Sequence, residues 1–285
     1  MKTAIITDSS AALSDDIKNA DHLKVLSIPI MFGTDTFVEG VNLTIEEFFE
    51  KMAASDQLPT TSQPSLADLT AAIDALIEAG YTQIIGLFLS SGISGFSQNI
   101  QYLVGDYSTI RLAFPDTKIT SAPLGVMVRQ ALAWGEAEVD FEEILTRLSI
   151  MIDKTQAYIM VDDLNHLVKG GRLTNGAAII GNLLKIKPIL HFSKQGTIDV
   201  YEKIRSEKKA VKRLTEILST IKETDATIDY TYAIIHANAP EKAADLIALL
   251  MKNGITNVDI YTFGSVIATH LGEGAVACAV IPIVD

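Results

Sequence analysis

The sequence predicts an α/β protein in two domains, a first with a mostly parallel sheet sandwiched by helices and a second with a mixed sheet. Three observations lead there. Short apolar, β-branched runs alternate with helix-period segments through the first half. In the second half "SKQG" (193–196) joins two strand-like runs as a tight hairpin, which requires antiparallel pairing. The length of 285 residues suits one large domain or two modest ones, and an apolar content of 48% is enough for a full core. The boundary is expected near residue 155, giving domains 1–155 and 156–285, although no Pro- or Gly-rich linker and no repeat marks it.

"TAIIT" (3–7) opens the first domain as a strand, and "KVLSIPIMF" (24–32) reads as the second. "LADLTAAIDALIEAG" (66–80) repeats its apolar residues at helical spacing, with Ser65 as N-cap and a Gly stop. "QIIGLFLSS" (83–91) is a buried strand whose polar end runs into "GISGFSQNIQYLV", a turn and then a helix. "DTKITSAP" (116–123) repeats that pattern ahead of the helix "GVMVRQALAWGEAE" (125–138). The helix 140–155 leads into the second domain. Strands are expected there at 156–162, 187–193, 196–205, 230–237 and 257–264, with helices near 176–186, 206–223 and 240–253.

Composition excludes several classes. A net charge of −12 argues against general nucleic-acid binding. No uninterrupted apolar stretch reaches the ~18–20 residues of a membrane span, and "MKTAIITDSS" meets Asp8 too early for a secretory leader. The single Cys278, inside "VACAVIPIV", reads as a core residue in a protein of the reducing cytoplasm. There is no HExxH or CxxC for a metal, no P-loop, and no GxGxxG after a strand. Gly170 in "KGGR" reads as a helix C-cap. Charge is segregated, however. Between Lys169 and Arg213 eleven Lys/Arg face three acids, a net of +8 that leaves −20 for the remainder. Such a segment suits an anionic or acidic partner, or else a solvated amphipathic helix.

Four polar segments follow strands or precede helices: "TDSSA" (7–11), "TTSQPS" (60–65), "SSGISGF" (90–96) and "TSAPLG" (120–125). All are rich in Ser, Thr and Gly, and only Asp8 is charged. Beyond the carboxyl ends of parallel strands, hydroxyls and free amides make a cradle for a carboxylate or phosphate oxygen. His270, in "GSVIATHLGEGAVACAV" (264–280), is the one group that could become cationic beside them. Two other readings stand beside an anion site. One is a Ser/His hydrolase using Ser94 or Ser62 with His270, although Gly92–Phe96 does not fit G-x-S-x-G. The other is a carrier of a sugar ketone or another small anion.

The ordered set "TDSS", "TTSQPS", "SSGISGFSQ", "DDLNHLVKGGR", "KPIL", "RSEKKA" and "ATHLGEGA" spans nearly the whole chain. It resembles the DegV family, bacterial fatty-acid-binding proteins that serve as the B component of fatty acid kinase. The resemblance implies a non-catalytic cytoplasmic carrier holding one long-chain fatty acid such as palmitate, with no cofactor or metal of its own. It places the carboxylate at Thr61, Ser62, Ser94 and His270. It also implies a partner, the catalytic subunit of a fatty acid kinase, which brings ATP and Mg²⁺ and phosphorylates the bound acid for phospholipid synthesis. Arg172 and Arg205 are the implied contacts to that kinase or to the phosphoryl group. Hydroxyl donors fit such a head group, because a buried carboxylate is costly unless hydrogen-bonded. Three positions depart from the family's pattern, and "TSAPLGVMV" (120–128) matches only loosely a segment that usually reads D-S-x-x-x-S-x-G. Phe96 stands in place of Thr and is expected to reshape the head-group or tail region, while Ala268 and Glu273 stand where relatives carry Gly and Pro.

Overall fold

The computed structural model describes residues 2–176, 187–224 and 228–284. Strands β1 (Thr3–Asp8), β2 (Leu23–Leu26), β6 (Gln83–Leu87) and β7 (Arg111–Ala113) form a parallel sheet in the order β2-β1-β6-β7. Alternation along these strands divides the core. Ala4, Ile6 and Ile84 pack with Leu69, Ile73 and Leu76 of helix α3 (Leu66–Glu78), whereas Ile5, Ile85 and Leu87 join the cluster around helix α6 (Ser121–Glu136). The amide of Asp68 donates to Ser65 Oγ at 3.3 Å to cap α3, and the chain leaves that helix through Gly80 at φ +86°.

The second sheet has six strands in the order β10-β9-β8-β13-β11-β12. They are β8 (Gln156–Met160), β9 (Ile189–Phe192), β10 (Ile198–Glu202), β11 (Tyr230–His236), β12 (Val258–Thr262) and β13 (Val276–Pro282). Only β11 and β12 run parallel. Period-two alternation again separates two faces. Tyr158, Ile234 and Cys278 pack on helices α9 (Glu207–Thr224) and α10 (Pro240–Lys252). Ala157, Ile159, Ala233, Ile235, Ala277 and Ala279 point the other way, towards α6 and helix α7 (Phe141–Lys154).

Helix α6 thus lies between the two sheets, which explains why eleven of its sixteen residues are buried. The largest buried cluster draws on both sheets. Among the described residues no helix is long and apolar enough to cross a membrane.

Several expectations need correction. "KVLSIPIMF" is two strands rather than one. β2 ends at Leu26, and after Pro29, which has no N–H for a ladder, β3 (Ile30–Phe32) enters a separate antiparallel sheet with β4 (Asp35–Phe37) and β5 (Thr60–Thr61). The strand expected at 116–123 is β7, five residues earlier, and α6 starts at Ser121 rather than 125. Edge pairing with β6 decides the strand, and burial between the sheets extends the helix over Ser121–Leu124. The helix expected after Gly95 is two short turns, α4 (Phe96–Asn99) and α5 (Leu103–Asp106). The helix expected near 176–186 lies outside the described residues.

Candidate functional site

A cavity of about 260 Å³ opens between the sheets. Its floor is the inner face of the six-stranded sheet, at Ala157, Ile159, Ile235 and Ala277. Small residues there leave room. Ala279 lies between Ala157 and Ala233 on adjacent strands, and Ala277 lies beside Ile159. Helix α11 (Ser265–Leu271) supplies Val266, Ile267 and Leu271, and the β9–β10 hairpin supplies Phe192 and Ile198. From the parallel sheet's carboxyl ends come Ile28, Leu89 and Ile119. The polar lining is Thr61, Ser62, Gln63, Ser94, Thr120, Ser121, Arg172 and His270. Ser62 and Gln63 are exposed, which marks this side as the opening.

Each polar group has a structural reason for its position. Thr61 sits on β5, paired with Ile30, and its Oγ1 is 2.8 Å from His270 Nε2. His270 rides on α11, whose start is held from the first half of the chain. Glu39 accepts hydrogen bonds there from the Ser265 amide and hydroxyl, because the N-cap Gly264 has no side chain to do so. Behind His270, a Cβ on Gly170 would come within 2.7 Å of Nδ1, so only glycine fits at this end of helix α8 (Asn165–Lys169). Gly170 does cap α8, although it is the next residue, Gly171, that turns to φ +71°.

His270 differs electrostatically from the cation anticipated. Burial first, then the neighbouring Arg172 and His166, push its pKa down to about 4. The imidazole is therefore neutral near pH 7. Positive charge comes instead from Arg172, whose guanidinium donates to the carbonyls of Ile93 (3.2 Å) and Gly170. Arg172 thereby ties the "KGGR" turn to the loop that carries Ser94.

That loop rests on the β9–β10 hairpin. Ser90 Oγ donates to Gly196 O at 2.8 Å, and a Cβ on Gly92 would meet the Gly196 carbonyl at 2.4 Å. Ser94 Oγ accepts a long bond, 3.4 Å, from the Phe96 amide. Ser62 Oγ donates to the Gln63 carbonyl at 3.1 Å. His270 is thus paired with Thr61, and among the described residues no Ser–His hydrogen bond of a hydrolase exists.

The cavity brings together Thr61, Ser62, Ser94, Arg172 and His270, but not Arg205. Arg205 is exposed between β10 and α9, away from the cavity lining, and makes no hydrogen bond or ion pair among the described residues. Of the four polar segments, 7–11 is absent from the lining. Asp8 is fully buried and accepts from the amides of Ser10 (2.9 Å) and Leu89 (2.8 Å), bracing two strand ends. Its burial raises the carboxyl pKa despite those bonds. Phe96 does not reshape the cavity, since its ring is buried on the parallel sheet's other face, edge-on to Phe88 with centroids 5.1 Å apart. Ala268 is buried in the core, and Glu273 accepts from Asn238 Nδ2 at 2.6 Å outside the cavity. Gln63, Thr120 and Ser121 lie in the polar segments read from the sequence but were not singled out there, and the alanine floor was not assigned. For the alanines, the alternation within "VACAV" was the available signal.

Fold and cavity together define an α/β protein whose two sheets enclose an apolar site with a hydroxyl-rich opening. The chain belongs to the DegV family, whose sequence pattern matches residues 2–283. It is 56% identical over 285 residues to the DegV domain-containing protein spr1415 of Streptococcus pneumoniae, with 100% of both chains covered. Its structure matches the fatty acid binding DegV family protein SAG1342 from Streptococcus agalactiae with a TM-score of 0.95, at 53% identity and 100% coverage of both chains. It matches DegV, a fatty acid binding protein from Bacillus subtilis, with a TM-score of 0.88 at 34% identity, covering 99% of this chain and 100% of that one.

Proposed function

We propose that this protein carries a long-chain fatty acid such as palmitate, with the acyl tail in the cavity and the carboxylate among Thr61, Ser62, Ser94 and His270. The observation that carries this reading is the contrast within one cavity, an apolar floor beside a cluster of hydroxyls around a neutral imidazole. Burying the tail contributes about 0.8 kcal/mol per CH₂. The hydroxyls offer the head group hydrogen bonds without a tight counter-ion, so a carboxylate oxygen stays available as a nucleophile.

In this reading the protein has no catalytic residue of its own and works in the cytoplasm as the substrate-presenting subunit of an ATP-dependent fatty acid kinase. The partner supplies ATP; a carboxylate oxygen attacks the terminal phosphorus, the bond to the departing ADP breaks, and an acyl phosphate results. Arg172, close to Ser94 through its bond to Ile93, is suited to the phosphoryl side. Arg205, exposed and unpaired among the described residues, is suited to partner docking. A division into units 1–155 and 156–285, one for each large sheet, belongs to the same proposal.

Solvent extraction and mass spectrometry of the purified protein test it. A stoichiometric long-chain acid is expected. A lipid-free protein that also takes up no added palmitate overturns the reading.

A further inference from the structure

Ser121 has no part in the function proposed above. It lines the cavity and is 3% exposed, yet its hydroxyl makes no hydrogen bond among the described residues. Its oxygen is not among the fully enclosed unpartnered polar atoms, so it keeps access to the cavity, where water or a ligand can partner it. The nearby hydroxyls are already engaged: Thr120 Oγ1 donates to Ser10 Oγ at 2.8 Å, and Thr117 Oγ1 to Phe88 O at 2.6 Å.

Ser121 is also the first residue of α6, a sixteen-residue helix whose N-cap, Thr120, gives no side-chain cap. Thr120, Ser121 and Pro123 all line the cavity, so the positive end of this helix borders the same space as the unpartnered hydroxyl. Both features favour an anionic oxygen. Ser94 and Ser121 follow β6 and β7, which are neighbours in the parallel sheet, so the two serines belong to adjacent strand ends.

We infer that Ser121 is a carboxylate ligand of the cavity: its hydroxyl donates to the head group of the acyl ligand, and the uncapped start of α6 stabilises the negative charge. This rests on the fatty-acid reading and adds a contact from the start of α6 to those of Thr61, Ser62, Ser94 and His270.

Binding of palmitate and of 1-hexadecanol to delipidated full-length protein tests the inference, since the two ligands share a tail and differ in the head. Ser121→Gly suits the residue's φ of +60° and removes the hydroxyl without backbone strain; Ser121→Ala is the second variant. Both are expected to weaken palmitate binding by about tenfold or more while hexadecanol binding stays within about twofold of the parent. A Ser121→Gly protein that binds palmitate as the parent does overturns the assignment. So does an equal loss of both ligands, which would mark a packing role. A parent that binds neither ligand overturns the fatty-acid reading, and the inference with it.

Discussion

Thr61 Oγ1 and His270 Nε2 stand 2.8 Å apart although 209 positions separate them in the chain. The bond links a two-residue strand of the small antiparallel sheet to helix α11. Thr61→Val keeps the β-branched shape and removes only the hydroxyl. Loss of this donor should weaken palmitate binding by about tenfold. Stranding His270 should also lower unfolding free energy by about 1–3 kcal/mol. Calorimetric binding and urea denaturation measure the two effects separately, and an unchanged palmitate Kd removes Thr61 from the head-group site.

The depressed pKa of His270 gives stability a defined pH dependence. In the unfolded chain the imidazole titrates near its ordinary value of 6.5, and in the folded protein near 4. Between those values the unfolded state binds a proton that the folded state refuses. Stability therefore falls as pH drops through this window, by up to about 1.4 kcal/mol per pH unit. Denaturation midpoints at pH 7 and pH 5 should differ less in His270→Gln than in the parent. A bound carboxylate should raise the imidazole pKa, which NMR titration of the ring protons with and without palmitate reads directly.

The alanine floor sets the depth of the cavity. Ala277→Leu adds three carbons to a face where β13 packs between β8 and β11. Overpacking of this kind costs about 1–3 kcal/mol of stability. Mass spectrometry of the co-purifying lipid should then show shorter acids or none. The parent's lipid profile persisting in a folded Ala277→Leu protein would mean that the tail lies elsewhere.

Arg205→Ala removes an exposed side chain without ion-pair or hydrogen-bond partners among the described residues, so the thermal midpoint and palmitate Kd should hold. Kinase-dependent acyl phosphate formation should slow at limiting kinase, with a raised apparent KM for the loaded carrier. Arg172→Ala should lower kcat in the same assay, because Arg172 bonds to Ile93 and Gly170 beside the cavity. Parent-like rates in both variants would leave the basic segment without this role.

Strand–helix alternation, the α3 cap, the 193–196 hairpin and the buried Cys278 were all legible in the sequence, because each depends on short-range patterns. The split at Pro29 was not, since the choice between two sheets is made by distant partners. Asp8 stood in one of the four polar segments, and only its burial shows that it braces two strand ends instead of facing the cavity. His270 was found by its motif. Its charge state depends first on burial and then on Arg172 and His166, which lie far away in sequence and act on it only in the fold.

Strand β13 is the last of its sheet to be synthesised, yet it sits in the middle, bonded to β8 on one side and β11 on the other. Until residues 276–282 clear the ribosome, β8 and β11 have no ladder joining them, and the cavity floor lacks Ala277. Closure of the cavity therefore waits for translation of this strand, and a nascent chain halted before it should expose both neighbours' edges and be a target for chaperones.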